Sequence, residues 1–396
     1  MKKFLLVAFA ALLIVAGSCE REREASLPQD DSSLVSFSDG DVIPGQYVVL
    51  LKDGTTSIKS AKLGYADAQV AMLGEIPKIL KASDIVAREP IHVYASSVEG
   101  FALKLSPDEA SSLAKNPGVL GVWPDRMVVL ARPVSPPVTQ PAQVTPPGIN
   151  IVGGGTSYTG TKKVWIIDTG IDQNHPDLNV DGASGKTFVP RTTSAEDDNG
   201  HGTHCAGIVA AINNTIGVVG VAAGAAVVPV KVLDKRGSGA YSTIIAGVNY
   251  VAASATEGDA VNMSLGGGVY EPVDLAVVAM GEAGLFVALA AGNESDDANN
   301  HSPARTNGTN IYTISACDKN LVWAYFSNYG NPPVDYCAPG VSIYSTYKGD
   351  AYATMSGTSM AAPHACGVLL VTGGHPNDDG YVVNDPDGNP DPIIHN

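Results

Sequence analysis

Residues 164–172 read Val-Trp-Ile-Ile-Asp-Thr-Gly-Ile-Asp, an apolar run that ends on an aspartate and a Thr-Gly turn. Such a run suits a strand buried on both faces, as in parallel sheets. Asp168 then falls at the carboxyl end of the strand, where open α/β sheets place their sites. Two unrelated chemistries use an Asp-Thr-Gly of this kind. In one, two such aspartates share a proton and activate water. In the other, a single aspartate orients a histidine that activates a serine. The first needs a second Asp-Thr-Gly or Asp-Ser-Gly, and the sequence holds none. Without partners, Asp168 is only the end of a strand.

Asn199–Gly207 (NGHGTHCAG) supplies a histidine. His201 opens a helical stretch between glycines, whose lack of a side chain lets other segments come close. His201 and His204 are three apart, but no His-Glu-x-x-His pattern or carboxylate set accompanies them, so a metal is not expected. Ser356–Gly367 (SGTSMAAPHACG) supplies a serine. Pro363 is tolerated only in a first helical turn, which puts Ser359 at or beside a helix N-terminus. Unpaired N–H groups and the helix dipole there stabilise an oxyanion. Ala288–Ser295 (ALAAGNES) leaves a strand and presents Asn293, a side-chain amide able to donate to that oxyanion. Taken alone, Asn293 and Ser359 are a turn residue and a helix cap. Together the four make one machine. Asp168 orients His201, His201 takes and returns the Ser359 proton, and Asn293 with the Ser359 N–H holds the tetrahedral oxyanion.

Outward from these motifs, residues 149–376 alternate apolar runs (KKVWIID, AVVPVKVL, AVNMSL, LFVALAA) with helical stretches. The alternation predicts right-handed βαβ units and an α/β fold of three layers, with a central, mostly parallel sheet and helices on both faces. Residues 132–148 hold six prolines, which predicts an exposed, extended boundary. Residues 43–131 read as a small αβ sandwich. In it GQYVVLLK, IVAREPIHVY, GFALKL and VLGVWPDRMVVLA are strands, and the stretch from Thr55 to Ile76 has helical spacing. Ser106 and Glu109 form a capping pattern before a second helix. Residues 19–42 are a charged tether and 377–396 a polar, solvated tail. The tail spaces Asp385, Asp387, Asn389 and Asp391 at every second residue without the full EF-hand pattern.

Residues 1–18 read as a signal peptide: Lys2 and Lys3, an apolar run from Phe4 to Ala16, then small residues. Two readings stay open, a bacterial lipoprotein signal with Cys19 as the lipidated first residue and ordinary cleavage near Ser18. Export to the medium or the cell surface follows from either, with lipidated Cys19 as the only membrane contact. Forty acidic against 24 basic residues give a formal charge of -16, which argues against nucleic acid as a partner. Cys205 and Cys366 lie in apolar helical stretches and read as buried thiols; Cys317 and Cys337 are candidates for a bridge.

The order Asp168, His201, Asn293, Ser359 and the motifs VWIIDTGID, HGTHCAG, VKVLDKRGSGAYSTIIAGVNYV, NMSLGG, AAGN, FSNYG and GTSMAAPH resemble the subtilisin-like serine proteases, most closely their proteinase K-like branch. The resemblance covers residues 134–376. It implies a monomeric serine endopeptidase acting on proteins and peptides, with no organic cofactor. Residues 43–131 likewise look like the family's inhibitory pro-domain, which implies self-cleavage between about Arg126 and Ser135. The alternative, a catalytically dead peptide-binding relative, is disfavoured by the complete set of four residues. The resemblance further implies that substrate adds as a strand to two backbone edges, at Gly237 and Gly239 and at Ser264, Leu265 and Gly266. Leu265, Gly266 and Ala290 would line an uncharged first pocket that favours apolar residues before the scissile bond, with Tyr241 at a more distant pocket. A structural calcium site would use the Asp335 carboxylate and the Thr309 and Ile311 carbonyls.

Overall fold

The computed structural model describes residues 37–130 and 138–396. The expected signal peptide, Cys19, most of the tether and the start of the linker lie outside them.

The N-terminal layer runs β1 (Val42–Leu51), α1 (Tyr65–Lys81), β2 (His92–Ala95), β3 (Glu99–Lys104), α2 (Pro107–Leu113) and β4 (Val119–Val129). Its strands form an antiparallel sheet in the order β4-β1-β3-β2. Helix α1 buries Ala68, Met72, Ile76 and Leu80, one apolar stripe at fourfold spacing, against Val49, Phe101 and Leu103. It starts after Gly64, later than its sequence pattern suggests, and Ile85–Ile91 is not strand. The α2 capping box forms as expected. The Ser106 hydroxyl accepts from Glu109 N–H (3.2 Å), and the Glu109 carboxylate accepts from Ser106 N–H (2.8 Å).

The second part contributes β5 (Val164–Asp168), β6 (Asn179–Val180), α3 (His201–Ala210), β7 (Ala226–Lys231), β8 (Ser238–Ala240), α4 (Tyr241–Ser254), β9 (Ala260–Met263), β10 (Gly267–Gly268), α5 (Glu271–Glu282), β11 (Phe286–Ala290), β12 (His301–Ser302), β13 (Ile311–Cys317), β14 (Val334–Pro339), α6 (Thr358–Thr372), β15 (Asn377–Tyr381) and β16 (Pro392–His395). The main sheet runs β15-β16-β14-β13-β11-β9-β5-β7-β6. Every pairing in it is parallel except β15 with β16. The unbroken apolar run of β5 now has its reason. Trp165 and Ile167 enter the core beneath α4 and α5, while Val164 and Ile166 enter the core on the other face with α3 and α6.

Three expectations are corrected. Residues 377–396 are not a solvated tail. They form a hairpin whose β16 pairs with β14 (Cys337 with Ile393), and Ile393 and Ile394 are buried. Their apolar pairs are short and masked in the sequence by surrounding Asp, Asn and Gly. The second half of the linker is docked through its backbone, although Gln140, Ala142, Val144, Thr145 and Pro147 are exposed as expected. Val138–Thr139 pairs with Ala351–Tyr352, and Pro146, Pro147 and Gly148 lead into a short helix, the two prolines supplying its fixed φ. Cys317 and Cys337 are free buried thiols, as are Cys205 and Cys366. They sit on neighbouring strands two positions out of register, with Ser315 opposite Cys337 and Pro339 opposite Cys317.

Candidate active site

Asp168 ends β5 and His201 opens α3, and the fold brings their side chains together. His201 Nδ1 lies 2.9 Å from each Asp168 carboxylate oxygen, and both residues are buried. The close approach depends on glycine. A Cβ at Gly202 would stand 2.1 Å from the Gly170 carbonyl and 3.2 Å from Asp168 Cβ, and one at Gly200, whose φ is +114°, would enter the Tyr347 ring. Burial alone would lower the His201 pKa, but the Asp168 carboxylate outweighs it and holds the ring well above its usual 6.5. His204 turns the other way, with Nε2 between the Ile343 and Ala353 carbonyls (3.2 and 3.1 Å), and burial pushes it down to about 3. The two histidines share no site.

Asp197 belongs to no motif in the sequence, although its place just before the helix that carries His201 is where an acid complements the dipole. Buried, it accepts from Thr169 Oγ1 (2.9 Å), Gly200 N–H (2.8 Å), Thr203 N–H (3.0 Å) and Thr203 Oγ1 (2.6 Å). Thr169 follows Asp168, so one carboxylate ties the aspartate loop to the histidine helix. Asp197→Ala is expected to lower stability by about 3 kcal/mol, because several buried donors lose their acceptor at once. Denaturant unfolding in a Ser359→Ala background, which avoids self-digestion, reads this. A change under about 0.5 kcal/mol would sink it.

Ser359 is the second residue of α6. Its hydroxyl donates to the Ser264 carbonyl (3.2 Å), while Ser264 Oγ donates back to the Ser359 carbonyl (2.8 Å). Among the described residues Ser359 N–H meets no acceptor and Ser359 Oγ makes no hydrogen bond to His201. Asn293 Oδ1 accepts from Thr358 N–H (2.8 Å) and Thr358 Oγ1 (3.1 Å). A backbone N–H can only donate, so the amide orientation is fixed and Nδ2 is free to donate. Thr358 Oγ1 also accepts from Gly292 N–H (3.1 Å). This positioning role of Thr358 has no signal in the sequence. Cys205 joins the group from one turn along α3. Its thiol donates to the Ser359 carbonyl (3.4 Å) and lies 3.9 Å from His201 Nδ1.

His201, Asn293, Ser359, Leu265, Gly266 and Ala290 line one cavity of about 330 Å³, to which Val129 and Leu130 also contribute. Strand β4 lies antiparallel to β8, with Met127 opposite Ala240, Val128 opposite Gly239 and Val129 opposite Ser238. Leu130 N–H donates to the Gly237 carbonyl (2.9 Å). A Cβ at Gly239 would meet the Val232 carbonyl at 2.4 Å, so this edge needs its glycine. The other edge is not paired with this strand. Among the described residues Ser264–Gly266 makes no backbone bond to β4, because that side of the strand is already paired. Gly40 N–H donates to the Met127 carbonyl, Met127 N–H to the Asp41 carbonyl, and Val129 N–H to Asp39 Oδ1 (2.8, 2.9 and 3.0 Å). The end of the supposed tether is therefore part of the fold. Tyr241 is fully buried, donating to the Gly268 or Ser302 carbonyl (3.0 Å each) and stacked on Tyr270. It braces the pocket wall from behind.

Asp335 is half-buried and accepts from Thr313 N–H (2.8 Å), two residues beyond Ile311. Burial pushes its pKa up to about 6, and no cationic side chain lies on it among the described residues. The Thr309 carbonyl faces Gly281, 2.3 Å from where a Cβ would stand. An uncompensated carboxylate of this kind fits a hard cation.

Comparison with known proteins gives consistent results. The subtilase family model matches residues 160–381, and the peptidase inhibitor I9 model matches residues 46–131. Subtilisin NAT of Bacillus subtilis subsp. natto is 40% identical over 294 residues, covering 70% of this chain and 72% of the relative. M-protease of Shouchella clausii is 34% identical over 379 residues, covering 94% and 89%. Among solved structures, a cold adapted subtilisin-like serine proteinase superposes with a TM-score of 0.54 at 34% identity, covering 62% of this chain and 90% of its own.

Proposed function

The chain belongs to the subtilase family and is a serine endopeptidase; from that premise we propose that it is an exported zymogen that cuts itself, with Asp168, His201, Asn293 and Ser359 as its catalytic group. The observation that carries the reading is the Asp168–His201 contact beside a cavity lined by His201, Ser359 and the end of the N-terminal layer. Asp168 accepts Nδ1–H, which leaves the Nε2 lone pair to take the Ser359 proton. Ser359 Oγ rotates off the Ser264 carbonyl and attacks. The developing oxyanion meets Asn293 Nδ2 and the open Ser359 N–H. His201 then protonates the leaving amine, and water releases the acyl group by the same path reversed.

Residues 43–131 act as the inhibitory pro-domain and residues 149–376, with the docked hairpin after them, as the catalytic domain. The register of β4 on β8 runs the chain toward Ser359 and ends at Leu130 on Gly237, which favours the bond after Ala131 within the Arg126–Ser135 window. After release, Gly237 and Gly239 pair with substrate, and Ser264, Leu265, Gly266 and Ala290 receive the side chain before the scissile bond, apolar residues foremost. The test is whether the full chain cleaves itself while its Ser359→Ala variant stays whole.

Calcium enters through Asp335, with Ile311 and Thr309 as carbonyl donors, the set expected of the proteinase K-like branch. A bound cation neutralises the carboxylate and ties β13 to β14. Chelation at pH 7 is expected to lower the Tm of the wild type by several degrees and to leave Asp335→Asn unchanged. The sign with pH follows from the raised value. Without cation, protonation of Asp335 favours the fold, so chelated protein gains stability as pH falls through about 6. Equal Tm values with and without chelator would rule the site out.

A further inference from the structure

Helix α6 carries Ser359 as its second residue and Pro363 in its interior. In an α-helix the Ser359 carbonyl would accept from the N–H of residue 363, and proline has none. The carbonyl of the nucleophile's own residue instead takes donors from side chains outside α6. Ser264 Oγ donates at 2.8 Å and the Cys205 thiol, a weak donor, at 3.4 Å. The stronger of the two hangs on a third residue, since Asn262 Nδ2 donates to Ser264 Oγ at 2.9 Å. The directions are fixed by elimination. The Ser359 carbonyl can only accept, so the single Ser264 hydroxyl proton is committed to it. Ser264 Oγ must then accept from Asn262, which turns the amide nitrogen toward the serine.

Asn262 breaks the packing rule of its surroundings. It lies in β9, wholly buried, opposite Ile166 on β5 and Ala288 on β11. Both neighbours belong to the apolar core under α3 and α6. Asparagine is depleted in strands, and here its Oδ1 meets no donor among the described residues. An unpaired acceptor in a dry core costs stability that an apolar residue would not. The one satisfied end of the side chain points at the support of the nucleophile. Local rules give way in this manner where function requires it.

We propose that Asn262 is a positioning residue for the nucleophile. It fixes the Ser264 hydroxyl, and that hydroxyl holds the Ser359 carbonyl in place of the donor that Pro363 lacks. The relay keeps the first turn of α6 where Ser359 Oγ can attack and Ser359 N–H can meet the oxyanion. Asn262 itself touches neither substrate nor reacting atoms. The inference rests on the catalytic roles proposed above for Ser359 and Asn293, and it deepens them by naming what sets Ser359 in place.

The experiment compares the wild-type full chain with Asn262→Leu, Ser264→Ala and the double variant, each after maturation, on one peptide substrate. Leucine keeps the number and branching of side-chain heavy atoms and removes the amide. In Asn262→Leu kcat is expected to fall about tenfold with KM within about twofold, because the backbone edge at Gly237 and Gly239 is untouched while the attacking and oxyanion-binding groups lose their set place. Affinity for a peptide boronate, which places an oxygen where the oxyanion forms, falls by the same factor as kcat/KM. If Asn262 acts through Ser264, the double variant is no slower than Ser264→Ala alone. Denaturant unfolding in a Ser359→Ala background should show Asn262→Leu no less stable than its parent, since the orphaned acceptor goes with the amide. An unchanged kcat, losses that multiply in the double variant, or a marked loss of stability in Asn262→Leu overturns the proposal. If the wild type cuts no peptide, the failure lies in the catalytic reading beneath it.

Discussion

The Ser359→Ala chain is expected to remain whole, while the wild type parts near Ala131 into an N-terminal piece and a catalytic domain. The expectation rests on the geometry of β4. Its last residues already pair with Gly237–Ala240 as a bound strand, and Leu130 reaches the cavity that contains Ser359. A strand held beside its own nucleophile needs no encounter step, so cutting is an intramolecular event with a high effective concentration. Removing Ser359 Oγ removes the attacking atom and leaves the pairing intact. Peptide hydrolysis by the variant should fall about 10⁶-fold. That scale was measured for the equivalent change in a subtilisin, a relative of this chain, and does not come from the structure. Intact mass of the two proteins side by side decides the matter. If both are cut, another protease matures the chain. If neither is cut and the wild type hydrolyses nothing, the catalytic reading falls, and with it the inhibitory role of residues 43–131.

Asp168→Asn is expected to lower kcat about 10⁴-fold with little change in KM, because an amide no longer fixes the reactive tautomer of His201. The pH profile separates this from simple damage. In the wild type the carboxylate holds the His201 pKa above 6.5, so activity requires pH above that raised value and is lost as the ring protonates below it. In Asp168→Asn the surviving activity should keep its full value to lower pH, since the strongest opposition to burial, the Asp168 charge, is then gone. An acid limb that stays in place would show that Asp168 does not govern His201. Stability moves in the opposite sense. The raised His201 value favours the fold fully below the unfolded pKa of about 6.5, and this contribution fades as pH rises through the folded value. The wild type should therefore lose more stability than Asp168→Asn between pH 6 and alkaline pH.

Release of the N-terminal layer is more than the opening of one strand. Gln46 Nε2 donates to Asp125 (2.6 Å), Asp125 in turn accepts from Ser242 N–H (3.1 Å), and Asn249 Oδ1 receives Ala95 N–H and Ser96 N–H (2.8 and 2.7 Å). The layer thus sits on α4 through buried polar contacts as well as through β8. On the zymogen reading proposed above, these contacts keep a cut strand over the cavity.

The α/β architecture of the catalytic part and the four residues around which chemistry is expected are legible in the sequence. The reason is locality. Asp168, His201 and Ser359 each stand at an end of a strand or helix, where neighbouring glycines, prolines and caps must take particular types, and Asn293 follows just past one. The two-core burial of β5 likewise shows as an unbroken apolar run. The remaining features join residues far apart in the chain and leave no local pattern. Asp197 binds the Asp168 and His201 loops together, and Thr358 aims Asn293. Gly40 and Asp41 cover the strand that fills the cleft. The last twenty residues read as solvated because their polar loop dominates the composition, yet Ile393 and Ile394 extend the sheet. A buried donor needs an acceptor and an apolar strand needs a neighbour wherever the fold happens to supply them, and that supply is a property of the assembled chain.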